Sequence, residues 1–286
     1  MGKNKLNIST QSQHKYEYEI DLNGDSTGAR IVRMMDKGKR VLELGAGPGS
    51  ITKHLKNTCE CSIVAIENDV DAIKKLPAYC EKVYNADLNA PDWPAVLESE
   101  DKFDVVLAAD VLEHLYDPWA VLASMKGLLK EDGYIIVSLP HVGHNAVLAC
   151  ILDQDFEYQD WGLLDRTHIR FFAMKNIQSL FNSAKLKIKE AQFVVTQPEL
   201  TEFSDRWRKL SNSLRSALAS NKYGMVYQVV IKTVPINGVD SGIDLMSLDV
   251  DVPKRNTKEI IKSIINLYLP GPIRDMLRRL VHRLRK

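Results

Sequence analysis

Three alternate glycines, Gly45, Gly47 and Gly49, follow the apolar run Val41-Leu42-Glu43-Leu44 and precede a helical pattern that starts at Ile51. Glycine at such a junction lets the backbone turn tightly and lets a ligand approach it closely, and the helix start beyond it offers free N–H groups. A dinucleotide loop places its third glycine at the position of Ser50, whereas here the glycine comes one residue early, at Gly49. Glu43 precedes the first glycine by two residues, and a carboxylate at a strand end suits an ammonium group, which a dinucleotide lacks. Further acids follow. Glu67 closes the next apolar run and is placed to take both hydroxyls of a ribose, and Asp87 and Asp110 close the two after that. Beyond Asp110 lie Glu113 and His114, and further on Asp165, His168 and Arg170 put an acid, a base and an anion binder in one short stretch. A histidine with an ordinary pKa near ~6.5 suits removal of a proton from a hydroxyl.

The elements that must hold these residues alternate in type. Val41–Leu44, Ser62–Ile66, Val83–Tyr84, Phe103–Ala108 and Tyr134–Leu139 read as strands, the last preceded by a turn at Glu131-Asp132-Gly133. Ile51–Leu55, Asp71–Lys75 and Trp119–Leu129 read as the helices between them. Ile177–Ala184 continues as a helix, with Leu186–Val195 and Met225–Val234 as strands six and seven. The expected fold is therefore α/β, a Rossmann-like seven-stranded, mostly parallel sheet with helices on both faces. Glu43, Glu67, Asp87 and Asp110 then fall at the C-terminal ends of four successive strands, the edge at which open α/β sheets bind ligands.

The chain is divided as an N-terminal flap over 1–35, a catalytic domain over 36–235, a linker over 236–256 and a tail over 257–286. Within the domain, 141–172 reads as a lid or insertion, with Phe156, Tyr158 and Trp161 as its aromatic residues, and 199–221 as a helical insertion. With 286 residues, 45% hydrophobic and 26% charged, the composition excludes a disordered, collagen-like or multi-span membrane chain. No run approaches the ~18 apolar residues of a transmembrane helix. Four cysteines without zinc-ligand spacing point to a reducing compartment.

Glu43-x-Gly45-x-Gly47-x-Gly49, with Glu67 and Asp87 in order after it, resembles the first motifs of class I S-adenosylmethionine-dependent methyltransferases. The resemblance covers roughly residues 15–235 and includes Tyr16-Glu17-Tyr18 as a flap over the cofactor. It implies S-adenosyl-L-methionine as cofactor, held by Glu43, Gly45, Ala46, Gly47, Gly49, Glu67, Asn68, Asp87, Leu88 and Asp110, with Asp87 near the adenine amino group. Asp110-x-Leu112-Glu113-His114-x-x-Asp117-Pro118 resembles a segment of small-molecule and sugar methyltransferases in which the histidine borders the reacting methyl. Gly162-Leu163-Leu164-Asp165-x-Thr167-His168-x-Arg170-Phe171-Phe172 is similar to a signature of bacterial methyltransferases often associated with surface-polysaccharide synthesis. The resemblance implies His114, His168, Asp165 and Arg170 at the catalytic face. It also implies O-methylation of a sugar in a glycan or lipid-linked precursor. Relatives carry Pro-Asn where this chain has Pro140-His141, which leaves His141 without an assigned role.

Other readings stay open. The alternatives are an O-methyltransferase of a quinone or small aromatic precursor, and a non-catalytic cofactor-binding module that recruits partners through its tail. Asp110, Glu113 and His114 also resemble the divalent-metal ligands of some quinone and RNA methyltransferases, against a first reading with no metal. Residues 254–286 carry 10 Lys/Arg against 2 Asp/Glu, a charge of +8, and the rest of the chain carries 28 against 35, or −7. Apolar residues at helical spacing with arginines opposite read as a basic amphipathic helix for an anionic membrane surface. The expected location is cytoplasmic, peripheral at the inner membrane face. The expected partner is a sugar or small-molecule acceptor, free or lipid-linked, with no specific nucleic acid.

Overall fold

The computed structural model describes residues 15–236 and 242–252. The first fourteen residues, part of the linker and the basic tail lie outside the described residues. Helix α1 (Thr27–Met34) starts at Ser26, whose side chain accepts a hydrogen bond from the Ala29 N–H. Then follow β1 (Arg40–Leu44), α2 (Thr52–Asn57), β2 (Ser62–Glu67), α3 (Val70–Ile73), β3 (Lys82–Asn85), β4 (Phe103–Ala109), α4 (Pro118–Gly127) and β5 (Leu129–Pro140). After α5 (Asn145–Leu152) and α6 (Met174–Ser183) come β6 (Leu186–Val195), α7 (Ser204–Lys209), α8 (Asn212–Leu218) and β7 (Val226–Pro235).

The seven strands lie in the order β3-β2-β1-β4-β5-β7-β6. The pairs β1–β2, β2–β3, β1–β4 and β4–β5 are parallel, and β5–β7 is antiparallel. Val41, Leu42, Leu44, Ile63–Ile66, Val105–Ala108 and Ile135–Val137 are all buried, the near-continuous burial of strands covered on both faces. Strand order reverses at β1 and β4, and this switch opens a crevice beyond their C-terminal ends. Glu43 lies in the last part of β1 and Asp110 directly follows β4.

One local expectation is corrected. Glu131-Asp132-Gly133 belongs to β5, not to a turn before it. The register shifts between Phe103↔Leu129 and Val105↔Tyr134, so the extra residues form a bulge. Lys130 pairs with Asp104 at 2.8 Å, and Gly133 lies so close to Asp104 that a Cβ would come within 3.1 Å of its carbonyl oxygen. The helical insertion at 199–221 consists of a short turn at Pro198–Leu200 followed by α7 and α8. Leu210 turns extended, and Ser211 restarts the chain by accepting from the Leu214 N–H.

The described parts of Met1–Pro140, His168–Val194 and Gln228–Ser247 form one compact unit, which holds the sheet. Those of His141–Thr167, Val195–Tyr227 and Leu248–Lys286 form a second, whose core is Ala146, Val147, Cys150, Leu163, Leu164 and Phe203. The segment read as a lid thus carries α5, and its aromatic residues Tyr158 and Trp161 are exposed. In the segment read as a linker, Leu245 is buried and its N–H donates to the Gln178 side chain. Among the described residues, no helix is long and apolar enough to cross a membrane, and all four cysteines are free.

Candidate functional site

The glycine loop leaves β1 through three left-handed residues, with φ of +63° at Gly45, +54° at Gly47 and +91° at Gly49. The Gly45 N–H donates to the Ile66 carbonyl and ties the loop to the end of β2. A Cβ at Gly45 would meet Val111 at 2.7 Å, whereas a Cβ at Gly47 would meet nothing within 4 Å. Gly45 is therefore needed for packing, and Gly47 borders open space. Ala46 is buried against Ala65 and Leu76.

Glu43 and Glu67 flank this loop. Glu43 is buried, and its Oε2 has no hydrogen-bond partner among the described residues. Burial pushes its carboxyl from an ordinary 4.5 up to about 8, the charge of Glu67 adding to that and the Thr52 hydroxyl opposing it. Folded protein then keeps a proton that unfolded chain has already released, so this group's effect is to lower stability as pH rises between about 4.5 and 8. Glu43→Gln should flatten that part of the melting-temperature profile of the free protein. Parallel profiles for the two proteins would show that Glu43 is ionised in the fold.

Glu67 is turned towards the loop. Its Oε2 accepts from the Gly47 N–H at 2.7 Å, and its Oε1 accepts from the Asn68 and Asp69 N–H groups at 2.8 and 2.9 Å. A carboxylate offers about four acceptor positions, so about one is left for a ribose hydroxyl, where the sequence reading had two. Asp87 is exposed just beyond β3 and accepts from the Asn89 N–H at 2.9 Å, and the neighbouring Leu88 is buried. The N-terminal segment crosses the loop: the Tyr18 N–H donates to Ser50 Oγ at 3.0 Å, and Ser50 Oγ donates to the Tyr16 carbonyl at 3.1 Å. Ion pairs Glu17–Lys75 and Glu19–Lys53 hold it there. Tyr18 is 45% exposed as a whole residue. Burial of its hydroxyl end, then the charges of Asp110 and Glu43, push its pKa up.

Asp110 has the left-handed φ of +53°. Its Oδ1 accepts from the Ser138 hydroxyl at 2.5 Å and its Oδ2 from the Gln228 side-chain amide at 2.9 Å. Burial pushes its pKa up, against these two bonds and the pull of His114. Sequence reasoning missed Ser138 and Gln228 as its holders; Gln228 lies 118 residues away on another strand, with no local signal to find it.

His114 ends a short turn, Leu112–His114, and neither it nor Glu113 caps α4, whose cap is Asp117. The Ile169 and Arg170 N–H groups both donate to the Glu113 carbonyl at 3.0 Å. These two bonds bring His168 beside His114, with ring centroids 4.7 Å apart and planes at 67°. His168 Nε2 lies 3.9 Å from Glu113 Oε1. Ligand-capable atoms of Glu113, His114 and His168 all lie within 4.8 Å of one another. Asp110 is not in this group, which corrects the expected set Asp110, Glu113 and His114. Its carboxylate is turned towards Ser138 and Gln228.

Arg170 donates through Nε and a terminal nitrogen to the Tyr116 carbonyl, and its guanidinium lies 5.6 Å from the centre of the Trp119 ring. Trp119, Arg170, Phe171, Asn176 and Ser179 line a groove of about 330 Å³, with the Phe171 and His168 ring centroids 6.3 Å apart. In the second unit, Asp165 is buried and its Oδ1 accepts from the Thr167 N–H and hydroxyl, a bond pattern that shapes its own loop. His141 is buried, its Nδ1 donating to the Val226 carbonyl, and burial pushes its pKa down to about 4. His144 caps α5: its Nδ1 accepts from the Ala146 N–H, so Nε2 donates to the Thr196 carbonyl at 2.8 Å. Both are neutral structural histidines near pH 7.

Residues 13–191, well over half of the chain, match the methyltransferase domain family. A ubiquinone biosynthesis O-methyltransferase of Glaesserella parasuis is 25% identical over 125 residues, 42% of this chain and 52% of that protein. One from Rhodopseudomonas palustris is 23% identical over 174 residues, 60% of this chain and 66% of that protein. The chain thus spans about half to two thirds of the length of the curated relatives it matches. A crystallised SAM-dependent methyltransferase of Thermotoga maritima shares the fold, with a TM-score of 0.50 at 17% identity over 73% of this chain and 87% of that one. The chain belongs to the methyltransferase domain family and has the class I, S-adenosylmethionine-dependent fold. The residues present fit that cofactor: a buried carboxyl at Glu43 whose Oε2 has no partner among the described residues, for its ammonium, and open space at Gly47 for its approach to the backbone.

Proposed function

We propose that the chain methylates a hydroxyl oxygen, most specifically a sugar hydroxyl in a glycan or lipid-linked precursor. The observation that carries the reading is the pairing of the Glu43–glycine-loop crevice at β1 with the Glu113–His114–His168 cluster just past β4, the adjacent strand. S-adenosylmethionine, when bound, supplies an electrophilic methyl on a positively charged sulfur. Glu43 would hold its ammonium, Glu67 sets the loop beneath it, and His114 or His168 would take the acceptor's proton as the oxygen bonds to the methyl carbon and the carbon–sulfur bond breaks, its electron pair leaving with the now neutral sulfur. Oxygen as the acceptor atom is supported by the relatives, which are named O-methyltransferases. A sugar is supported by the similarity of the Gly162–Phe172 segment. The groove beside His168 adds two aromatic faces for a ring, with an amide and a hydroxyl for its polar groups.

A second reading, a quinone or small aromatic precursor, is favoured by the names of those relatives and fits the same aromatic walls. Incubation with methyl-labelled S-adenosylmethionine and separated envelope-glycan and quinone-precursor fractions decides between them. Label in the glycan is the expected result, and label confined to the aromatic fraction selects the second reading.

The tail supports a location for this activity. With +8 on residues 254–286 and −7 on the rest, only the tail is attracted to anionic lipid, by about 1 kcal/mol per basic residue near the surface. Full-length protein should pellet with anionic vesicles in a salt-sensitive manner, and a chain ending at Val252 should not. Equal pelleting would assign the tail to a protein surface instead.

A further inference from the structure

We propose that the groove between Arg170 and Phe171 seats an acidic sugar, a ring whose carboxylate or phosphate pairs with the Arg170 guanidinium. The proposal rests on the reading of a sugar acceptor and names its class. Arg170 is exposed, yet its head group is held from two sides. Its Nε donates to the Tyr116 carbonyl at 3.1 Å together with a terminal nitrogen, and the guanidinium lies 5.6 Å from the centre of the Trp119 ring. Neither partner carries a negative charge, and no carboxylate pairs with Arg170 among the described residues. Arg30 and Arg40, by contrast, pair with Asp25 and Glu100. Arg170 therefore keeps a fixed, uncompensated positive charge, and its second terminal nitrogen is left to donate.

The rest of the groove fits an oxyanion on a ring. Asn176 and Ser179 stand three apart on α6, on one side of that helix, and both line the groove. Asn176 Oδ1 accepts from the Ala173 N–H at 3.2 Å, so its amide hydrogens are the part left to bind a ligand. The Ser179 hydroxyl bonds no described residue, and none of the lining residues is acidic. Guanidinium, amide and hydroxyl can all donate to one anionic group, and bonds to a charged acceptor are the stronger kind. Phe171, 36% exposed, supplies an apolar wall for the ring, and its own ring lies 6.3 Å from that of His168. A volume of about 330 Å³ suits a single ring with a small acidic substituent. The acid would anchor the ring, and a hydroxyl of the same ring would face the imidazole.

Titration of the full-length protein with glucuronate, glucose 6-phosphate, glucose and inorganic phosphate, read by calorimetry, tests the subsite without methyl donor. At least one acidic sugar should bind about tenfold or more tighter than glucose, with an affinity that falls as salt rises. The tighter of the two identifies carboxylate or phosphate as the group. Inorganic phosphate should bind more weakly, because it leaves the Phe171 wall empty. Arg170→Gln should weaken the acidic sugar by about tenfold or more and abolish the preference over glucose. Arg170 also holds the Tyr116 carbonyl, so Asn176→Asp is the second variant. It keeps an oxygen for the Ala173 N–H and places a negative charge in the groove, and it should lose the acidic sugar at an unchanged melting temperature. Equal affinity for glucose, no saturable binding of either acidic sugar, equal binding of inorganic phosphate, or wild-type affinity in both folded variants would each overturn the proposal. Those outcomes leave methylation of a neutral sugar standing. Label confined to the quinone-precursor fraction would instead strike the sugar-acceptor reading, so the two fail separately.

Discussion

Replacing by alanine whichever of His114 and His168 is the proton acceptor should lower methyl-transfer turnover by about 10²–10⁴-fold, with little change in affinity for S-adenosylmethionine. The two rings meet at 4.7 Å beyond the end of β4, while Glu43 and the glycine loop, the proposed cofactor cradle, belong to β1 and the turn after it. Loss of an imidazole therefore touches activation of the acceptor and spares the cofactor cradle. His114 is the cleaner position, because it is half-buried and its removal opens less of the core than removal of His168. Single-turnover rates with preloaded methyl donor separate this effect from slow binding. Near-normal rates in both folded variants would remove the cluster from the chemistry. A loss of cofactor affinity equal to the loss of rate would reassign the histidines to packing of the β4 edge.

The parts of this arrangement differ in how far sequence could reach them. Strands β1, β2 and β4 announce themselves because parallel strands covered on both faces are continuous apolar runs, and each acid that closes a run then falls at one edge of the sheet. Gly45, Gly47 and Gly49 stand out for the same local reason: all three adopt positive φ. The meeting of His114 with His168 has no such signal. It depends on two backbone N–H groups donating to the carbonyl of Glu113, and backbone bonds of that kind carry no side-chain signature. Asp110 shows the converse. Its position after β4 was legible, but Gln228 from β7 binds its carboxylate, and this removes it from the ligand set that spacing alone would assemble. The same limit applies to Asp165: three nearby polar residues in one loop suggest joint action, while the observed bonds turn Asp165 onto Thr167 and Arg170 onto Tyr116.

Gly47→Val should cost the protein its cofactor before it costs the protein its fold. A branched residue at φ of +54° is disfavoured by roughly 1–2 kcal/mol, a loss that a domain with this much buried sheet can carry. A Cβ there meets no protein atom within 4 Å, so the new side chain occupies the open space of the loop instead of forcing the core apart. The Gly47 N–H is also the group held by Glu67 at 2.7 Å, and distortion of the turn would disturb that carboxylate as well. Affinity for S-adenosylmethionine should fall by at least about tenfold, or 1.4 kcal/mol. Gly45→Ala is the contrasting variant. Its Cβ would lie 2.7 Å from Val111, so melting temperature should drop along with binding. Calorimetry and thermal melting on the two variants read the two effects independently. Wild-type affinity in a folded Gly47→Val protein would mean that the cofactor does not approach the backbone at this glycine, and the assignment of the loop would have to be abandoned.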